Sequence, residues 1–195
     1  MRFNSAVILA GGKSSRMGFD KQLMRIKQQR VIDILISKLN EEFKEVIIVT
    51  NKPSYYNNYK NVFTDEIKKK GPLSGIHIGL KKAKSEYVYF TACDMPNVNI
   101  SYIRYMKEKI SKIKVDACVT KYKERIEPFN SFYNKRLITS IEQRLRNDER
   151  SIYTFLKNRN CLFIEEKVAR KFSPTWDMFV NLNTKEDLQK YIKGK

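Results

Sequence analysis

Cysteine is scarce in this 195-residue chain, which holds three, Cys93, Cys118 and Cys161. They lie far apart and are odd in number, so they make neither the paired spacing of a zinc site nor a disulfide framework. Each sits in an apolar, strand-like context, which reads as a buried small hydrophobe in a reducing compartment. No apolar stretch approaches the roughly 20 residues of a membrane-spanning helix. Met1-Arg2-Phe3-Asn4-Ser5-Ala6 runs straight into a short apolar strand and lacks signal-peptide architecture. A cytoplasmic protein with no membrane partner is expected. Repeats, linkers and low-complexity tracts are missing too, so a single domain over 1–195 is expected.

Acids are outnumbered, 21 Asp and Glu against 39 Lys and Arg, for a formal net charge of +18. That balance raises the question of nucleic acid. The chain nevertheless lacks an Arg-rich block, a recognition-helix signature and an RNA-binding aromatic motif. Its basic residues are spread along the whole length, with only short clusters such as Lys68-Lys69-Lys70. Such charge favours any anionic partner and does not choose among them. No nucleic-acid partner is expected; a non-catalytic, basic nucleic-acid-binding protein is kept as the second alternative.

What is present is a globular pattern, with 42% hydrophobic residues, 11 Phe and 11 Tyr. Ser5 to Ala10, Glu45 to Thr50, Val62 to Asp65 and Glu86 to Cys93 are short apolar runs of strand length. Between them, Val31 to Phe43 shows helical spacing of Ile32, Leu35, Ile36, Leu39 and Phe43. Gly71-Pro72-Leu73-Ser74-Gly75 opens a second helix reaching about Lys84, with Pro72 suited to its first turn. Strands alternating with helices predict an α/β fold: a Rossmann-like three-layer αβα sandwich on a mostly parallel sheet. After Asp116 the pattern changes. Ala117 to Tyr122 and Phe129 to Tyr133 read as strands, Arg136 to Arg146 and Ile152 to Leu156 as helices, and Phe179 to Leu182 as a last strand. Thr184 to Lys193 reads as a closing helix with Thr184 and Asp187 as its capping pair. Mixed strands are therefore expected in the second half. Residues 1–115 are expected to bind nucleotide and 116–195 to bind an acceptor.

Leu9-Ala10-Gly11-Gly12-Lys13-Ser14-Ser15-Arg16-Met17-Gly18-Phe19-Asp20-Lys21 carries the strongest chemical signal. It leaves the C-terminal end of the first strand, where open α/β sheets bind ligands. Gly11, Gly12 and Gly18 let backbone N–H groups approach phosphate oxygens, and Lys13, Arg16 and Lys21 add cations. Neither the Walker spacing nor the G-x-G-x-x-G dinucleotide fingerprint fits. A glycine-rich surface turn with solvated lysines is the bland alternative.

L-A-G-G-x-S-x-R-M-G-x-D-K resembles the signature of molybdenum cofactor guanylyltransferases, within the wider sugar-nucleotide-type transferases. Gly71-Pro72-Leu73-Ser74-Gly75 resembles their G-P-L-x-G motif, Cys93-Asp94-Met95-Pro96 their C-D-x-P motif, and Asn181-Leu182-Asn183-Thr184 their N-x-N-T element. The four stand in family order across nearly the whole chain. The resemblance implies transfer of GMP from GTP to the phosphate of molybdopterin, with Mg2+ and release of pyrophosphate. It also implies Mo-cofactor-handling proteins and apo-molybdoenzymes as further partners. The attacking phosphate is already an anion, so positioning and charge neutralisation dominate and no general base is needed. A chain whose one histidine is His77 suits that chemistry.

Under this resemblance Asp94 is the catalytic carboxylate and metal ligand, a hard oxygen at a strand's C-terminal end. Lys21 contacts the phosphates, with Arg16 as a second clamp. The backbone of Leu9, Ala10, Gly11 and Gly12 meets the guanine edge, and Asn51 and Asp65 hold the nucleoside. Strand-end Asn and Asp are also turn formers, an open alternative for Asn51 above all. Asn181 and Asn183 hold the acceptor; Lys185 stands where the family often has proline. Cytidylyl relatives tend to show L-A-A-G and lack G-P-L-x-G, so GTP is favoured. Cytidylyl transfer to molybdopterin or to a sugar or polyol phosphate is the first alternative. Lys121 to Asn134, including Glu127-Pro128-Phe129, departs most from the family pattern and is expected to help form the pterin platform.

Overall fold

The computed structural model describes residues 2–11, 20–67 and 70–194. The chain opens with β1 (Ser5–Ala10), every residue of it buried. A 3-10 turn (Lys21–Leu23) and a two-residue hairpin, β2 (Arg25–Ile26) with β3 (Gln29–Arg30), lead into α1 (Val31–Asn40). Then come β4 (Glu45–Thr50), β5 (Val62–Phe63), α2 (Pro72–Lys82), β6 (Tyr87–Ala92) and α3 (Ile100–Ser111). The remainder is β7 (Ala117–Tyr122), β8 (Arg125–Asn134), α4 (Ile138–Arg146), α5 (Ile152–Lys157), β9 (Cys161–Ile164), α6 (Glu166–Ala169) and α7 (Lys185–Lys193).

Among the described residues seven strands form one sheet in the order β5-β4-β1-β6-β8-β7-β9. β5, β4, β1 and β6 run parallel, so their C-terminal ends gather at one edge. β8 inserts antiparallel between β6 and β7, and β9 closes the far side parallel to β7. The alternation of β1 sends Ala6, Ile8 and Ala10 to one face and Val7 and Leu9 to the other, as a two-residue period requires. The first face is covered by α1 and α3 through Leu35, Leu39, Ile103 and Met106. The second is covered by α2, α4 and α5 through Ile76, Leu80, Ile141 and Phe155. Each such aliphatic or aromatic burial contributes about 1.5–3 kcal/mol. The three-layer α/β sandwich with mixed strands in its second half is thus present. Among the described residues no helix is long and apolar enough to cross a membrane.

Two elements differ from expectation. Phe179 to Leu182 is not a strand. Trp176 adopts a left-handed conformation, φ 67°, and the chain makes a 3-10 turn over Asp177–Phe179. Leu182 then gives its N–H to the Asp94 carbonyl at 2.8 Å, a docking bond outside any ladder. α3 was absent from the expected elements although its signals exist: Asn99 accepts the Tyr102 N–H as N-cap, and Tyr102, Ile103, Met106 and Ile110 are its buried positions. Cys93 and Cys118 are buried and Cys161 partly so, as small hydrophobes. Burial pushes the Cys93 thiol up to about 12, with the Asp94 carboxylate adding to it.

Candidate active site

The site is built on the C-terminal edge of β1, β4 and β6. β1 pairs with β4 as far as Ala10 and Thr50, so Gly11 is the first residue beyond the sheet. The Leu9 carbonyl accepts the Cys93 N–H at 3.0 Å, and Leu9 is buried. Gly12 and Arg16 lie outside the described residues.

Asp20 caps the turn that follows, its carboxylate accepting the Gln22 N–H at 3.1 Å while taking Lys52 Nζ at 2.6 Å. That turn separates two neighbours. Lys21 reaches across the edge, its ammonium donating to Asp94 Oδ2 at 3.0 Å and to Asn183 Oδ1 at 2.6 Å. The Lys21 and Asp94 side chains are 19% and 16% exposed, sheltered but open to a ligand. Gln22 turns inward instead, 4% exposed. It receives the Thr50 hydroxyl on Oε1 at 2.5 Å and donates through Nε2 to Asn51 Oδ1 at 3.1 Å. Gln22 was missed in the sequence. Its only local signal is adjacency to the motif lysine.

Asn183 is held by the start of α7. Thr184 and Asp187 form the expected capping box, and Asp187 Oδ2 also accepts the Asn183 N–H at 2.9 Å. Asn181 points elsewhere, donating to the Phe179 carbonyl at 3.3 Å. So the structure brings Lys21, Asp94 and Asn183 together, while Asn181 keeps to its own segment.

Asp65 follows β5 beside the first turns of α2. Burial raises its carboxyl above the ordinary aspartate value, and Ser74 and His77 counter this only in part. Gly71, at φ 75°, turns the chain into α2 in a conformation that favours glycine, and Pro72 fills the first helical turn as expected. His77 is 2% exposed with Glu142 Oε2 at 3.7 Å, and burial lowers its pKa; it lies within the packing of α2 rather than at the Lys21–Asp94 point.

Two oxygens of different elements, a carboxylate and an amide, therefore converge on one cation. Among the described residues no group of three or more His, Cys, Asp and Glu gathers. A metal here would have one carboxylate and an amide oxygen from the protein, with waters and phosphate oxygens completing its shell. That donor set suits Mg2+.

Residues 6–162 match the MobA-like NTP transferase domain. The probable molybdenum cofactor guanylyltransferase of Peptoclostridium acidaminophilum is 52% identical, over 97% of this chain and 88% of that protein. The molybdenum cofactor guanylyltransferase of Syntrophotalea carbinolica is 49% identical, over 98% and 91%. In fold, the chain is similar to molybdopterin-guanine dinucleotide biosynthesis protein A from Archaeoglobus fulgidus, with a TM-score of 0.85 at 23% identity and 97% of each chain covered. A glycine-led strand end, a lysine bridging an aspartate and an asparagine, and these likenesses agree: the chain belongs to the MobA-like NTP transferase family of nucleotidyltransferases.

Proposed function

We propose that this chain transfers GMP from GTP to the phosphate of molybdopterin, forming the guanine dinucleotide form of the cofactor and releasing pyrophosphate. The observation that carries the reading is the contact of Lys21 with both Asp94 and Asn183. Motifs from the beginning, middle and end of the chain meet at one cation, the arrangement a reaction between two polyanions needs. Relatives near 50% identity bear the guanylyltransferase name over almost their whole length.

A terminal oxygen of the acceptor phosphate attacks the α-phosphorus of GTP. The new P–O bond forms as the bond from the α-phosphorus to the bridging oxygen breaks, and pyrophosphate leaves with the electron pair. No proton has to be removed from the nucleophile, so the protein's work is alignment and charge. The Lys21 ammonium offsets negative charge on the phosphates, with Arg16 as a second cation. Asp94, assisted by Asn183, would hold Mg2+, which supplies charge neutralisation across the triphosphate. Leu9 to Gly12 border the base, and Asn51 and Asp65 hold the nucleoside. Residues 1–115 thus serve the nucleotide, and 116–195, with Asn181 and Asn183, the acceptor. Location is cytoplasmic, and the product passes to apo-molybdoenzymes.

A nucleotide panel with molybdopterin and Mg2+ tests this. Pyrophosphate release with GTP and a guanine dinucleotide product are expected. Release with CTP and not GTP would establish the cytidylyl alternative instead. Tight, steeply salt-dependent binding to DNA or RNA that survives Asp94→Ala, without turnover, would point to the nucleic-acid alternative.

A further inference from the structure

Glu127 lies on β8 opposite Thr120, half-buried. In a chain with 39 Lys and Arg, no ion pair among the described residues reaches its carboxylate. Burial pushes that carboxyl above the ordinary glutamate value, and the indole N–H of Trp176 pulls it partly back. Trp176 is the chain's single tryptophan. Its left-handed backbone is strained for so bulky a side chain, and such strain persists only where packing over-determines it. Here Tyr122 lies 4.9 Å from the ring, Phe179 4.6 Å, and the Arg170 guanidinium 5.0 Å. The indole faces are thus occupied by the protein, and what Trp176 has to offer Glu127 is its indole N–H.

The position matters as much as the chemistry. β8 pairs with β6 only from Asn134–Tyr87 to Ser131–Phe90. Glu127 therefore stands on the part of β8 that outruns β6, toward the edge where β6 gives way to Asp94. From Trp176 the chain turns through Asp177–Phe179, and residues 180–183 then span at most about 13 Å to reach Asn183. That segment is stapled down. Asn130, itself at φ 53°, accepts the Tyr89 hydroxyl at 2.9 Å and donates to the Met178 carbonyl. Asn97 donates to the Asp177 carbonyl at 3.2 Å. Glu127 thus stands on a wall at the same end of the sheet as the Lys21–Asp94–Asn183 point.

A carboxylate on this wall repels phosphate, so the part of a ligand beside it has to be neutral and rich in donors. We propose that Glu127, oriented by Trp176, is a specificity-determining residue that accepts the ring N–H and exocyclic amino N–H of a 2-amino-4-oxopyrimidine edge, that of the acceptor's pterin. Two carboxylate oxygens match two adjacent donors, the bidentate pairing that makes such contacts selective. Guanine carries the same edge, but β1 and β4, which lead into Gly11 and Asn51, lie on the other side of β6 from Glu127. The inference rests on the transfer reaction proposed above.

Glu127→Gln keeps the shape and replaces one acceptor by a donor. It is expected to raise KM for molybdopterin about 10- to 100-fold, the loss of a charge-assisted hydrogen bond. KM for GTP and kcat at saturating acceptor should stay within about twofold of wild type, a split that general loss of structure would not give. Molybdopterin added without GTP should quench Trp176 fluorescence, with the midpoint shifted in the variant by the same factor. An unchanged acceptor KM in an otherwise active enzyme would overturn the inference and leave the transfer reaction standing. A raised KM for GTP instead would assign the edge to guanine and overturn the acceptor assignment. If wild-type enzyme transfers no GMP to molybdopterin, the reaction itself fails. The Trp176 titration with free 2-amino-4-oxopteridine then decides: quenching lost in Glu127→Gln supports the subsite, and absence of quenching in wild type refutes it.

Discussion

Gln22 uses its side-chain amide twice inside the sheet edge, and one of the two bonds bears on the nucleoside contact proposed for Asn51. Its Oε1 accepts the Thr50 hydroxyl at 2.5 Å and its Nε2 donates to Asn51 Oδ1 at 3.1 Å, which leaves the Asn51 amino group as the donor for a ligand. Gln22→Ala removes two neutral hydrogen bonds, each contributing about 0.5–1.5 kcal/mol. Asn51 is exposed, so its carbonyl finds water cheaply. Thr50 is 2% exposed and keeps only its acceptor bond from the Lys52 N–H at 3.0 Å. A loss of about 1–3 kcal/mol follows, lowering Tm by about 2–10 °C in a protein of this size.

Gln22→Glu is the sharper variant. One carboxylate oxygen still accepts from Thr50, but the other faces Asn51 Oδ1 as acceptor against acceptor. The Asn51 amide has to rotate by half a turn to donate to it, and then offers its oxygen to the ligand where it had offered N–H. Both bonds are restored, but a carboxylate at this 4%-exposed position loses its hydration without gaining a cation, so stability should fall by at least about 1–3 kcal/mol at neutral pH. KM for GTP should rise about tenfold, with kcat within about twofold, since the contact is made equally in ground and transition states. Steady-state kinetics at saturating acceptor, with scanning calorimetry on the same samples, measures both. A Gln22→Glu enzyme that stays folded at the assay temperature and keeps its KM for GTP would refute a nucleoside contact by Asn51.

Lys21→Ala should lower kcat by at least about 100-fold with little change in Tm, as expected for a preorganised charge that acts on the phosphates; full activity would remove the mechanism. Gly79→Ala would set a Cβ 2.6 Å from Phe90 Cε1 and 3.0 Å from Val7 Cγ1. Overpacking of about 1–3 kcal/mol exceeds the helix-propensity gain of about 1 kcal/mol, so Tm should fall, and an unchanged Tm would contradict this packing of α2 on the sheet. Asp65 titrates above the ordinary aspartate value, so the folded state binds its proton more tightly than the unfolded state. Its contribution to stability is fully present below about pH 4 and is lost as pH rises through the raised folded pKa. Asp65→Asn should therefore melt above wild type at neutral pH, and the gap should close on acidification; a gap independent of pH would show that Asp65 is not buried as a charge.

Local signals in the sequence account for most of the elements, and long-range pairings account for the site residues that were missed. β1 could be read because six consecutive buried residues need only a strand-length apolar run. The α7 cap could be read because Thr184 and Asp187 bond within one turn. Gln22 could not: its burial depends on a hydroxyl 28 residues away and on a 3-10 turn that sends adjacent side chains in opposite directions. Glu127 and Trp176 meet through a bulge in β8 and a left-handed turn, features without a periodic signature. Sheet order explains why the legible motifs nonetheless come together. β6 is hydrogen-bonded to β1 on one side and to β8 on the other. Its end is where the Cys93 N–H bonds back to the Leu9 carbonyl and the Asp94 carbonyl takes the Leu182 N–H, so the first strand and the segment before α7 meet there. Asp94 stands at that point, 73 residues from the lysine it binds.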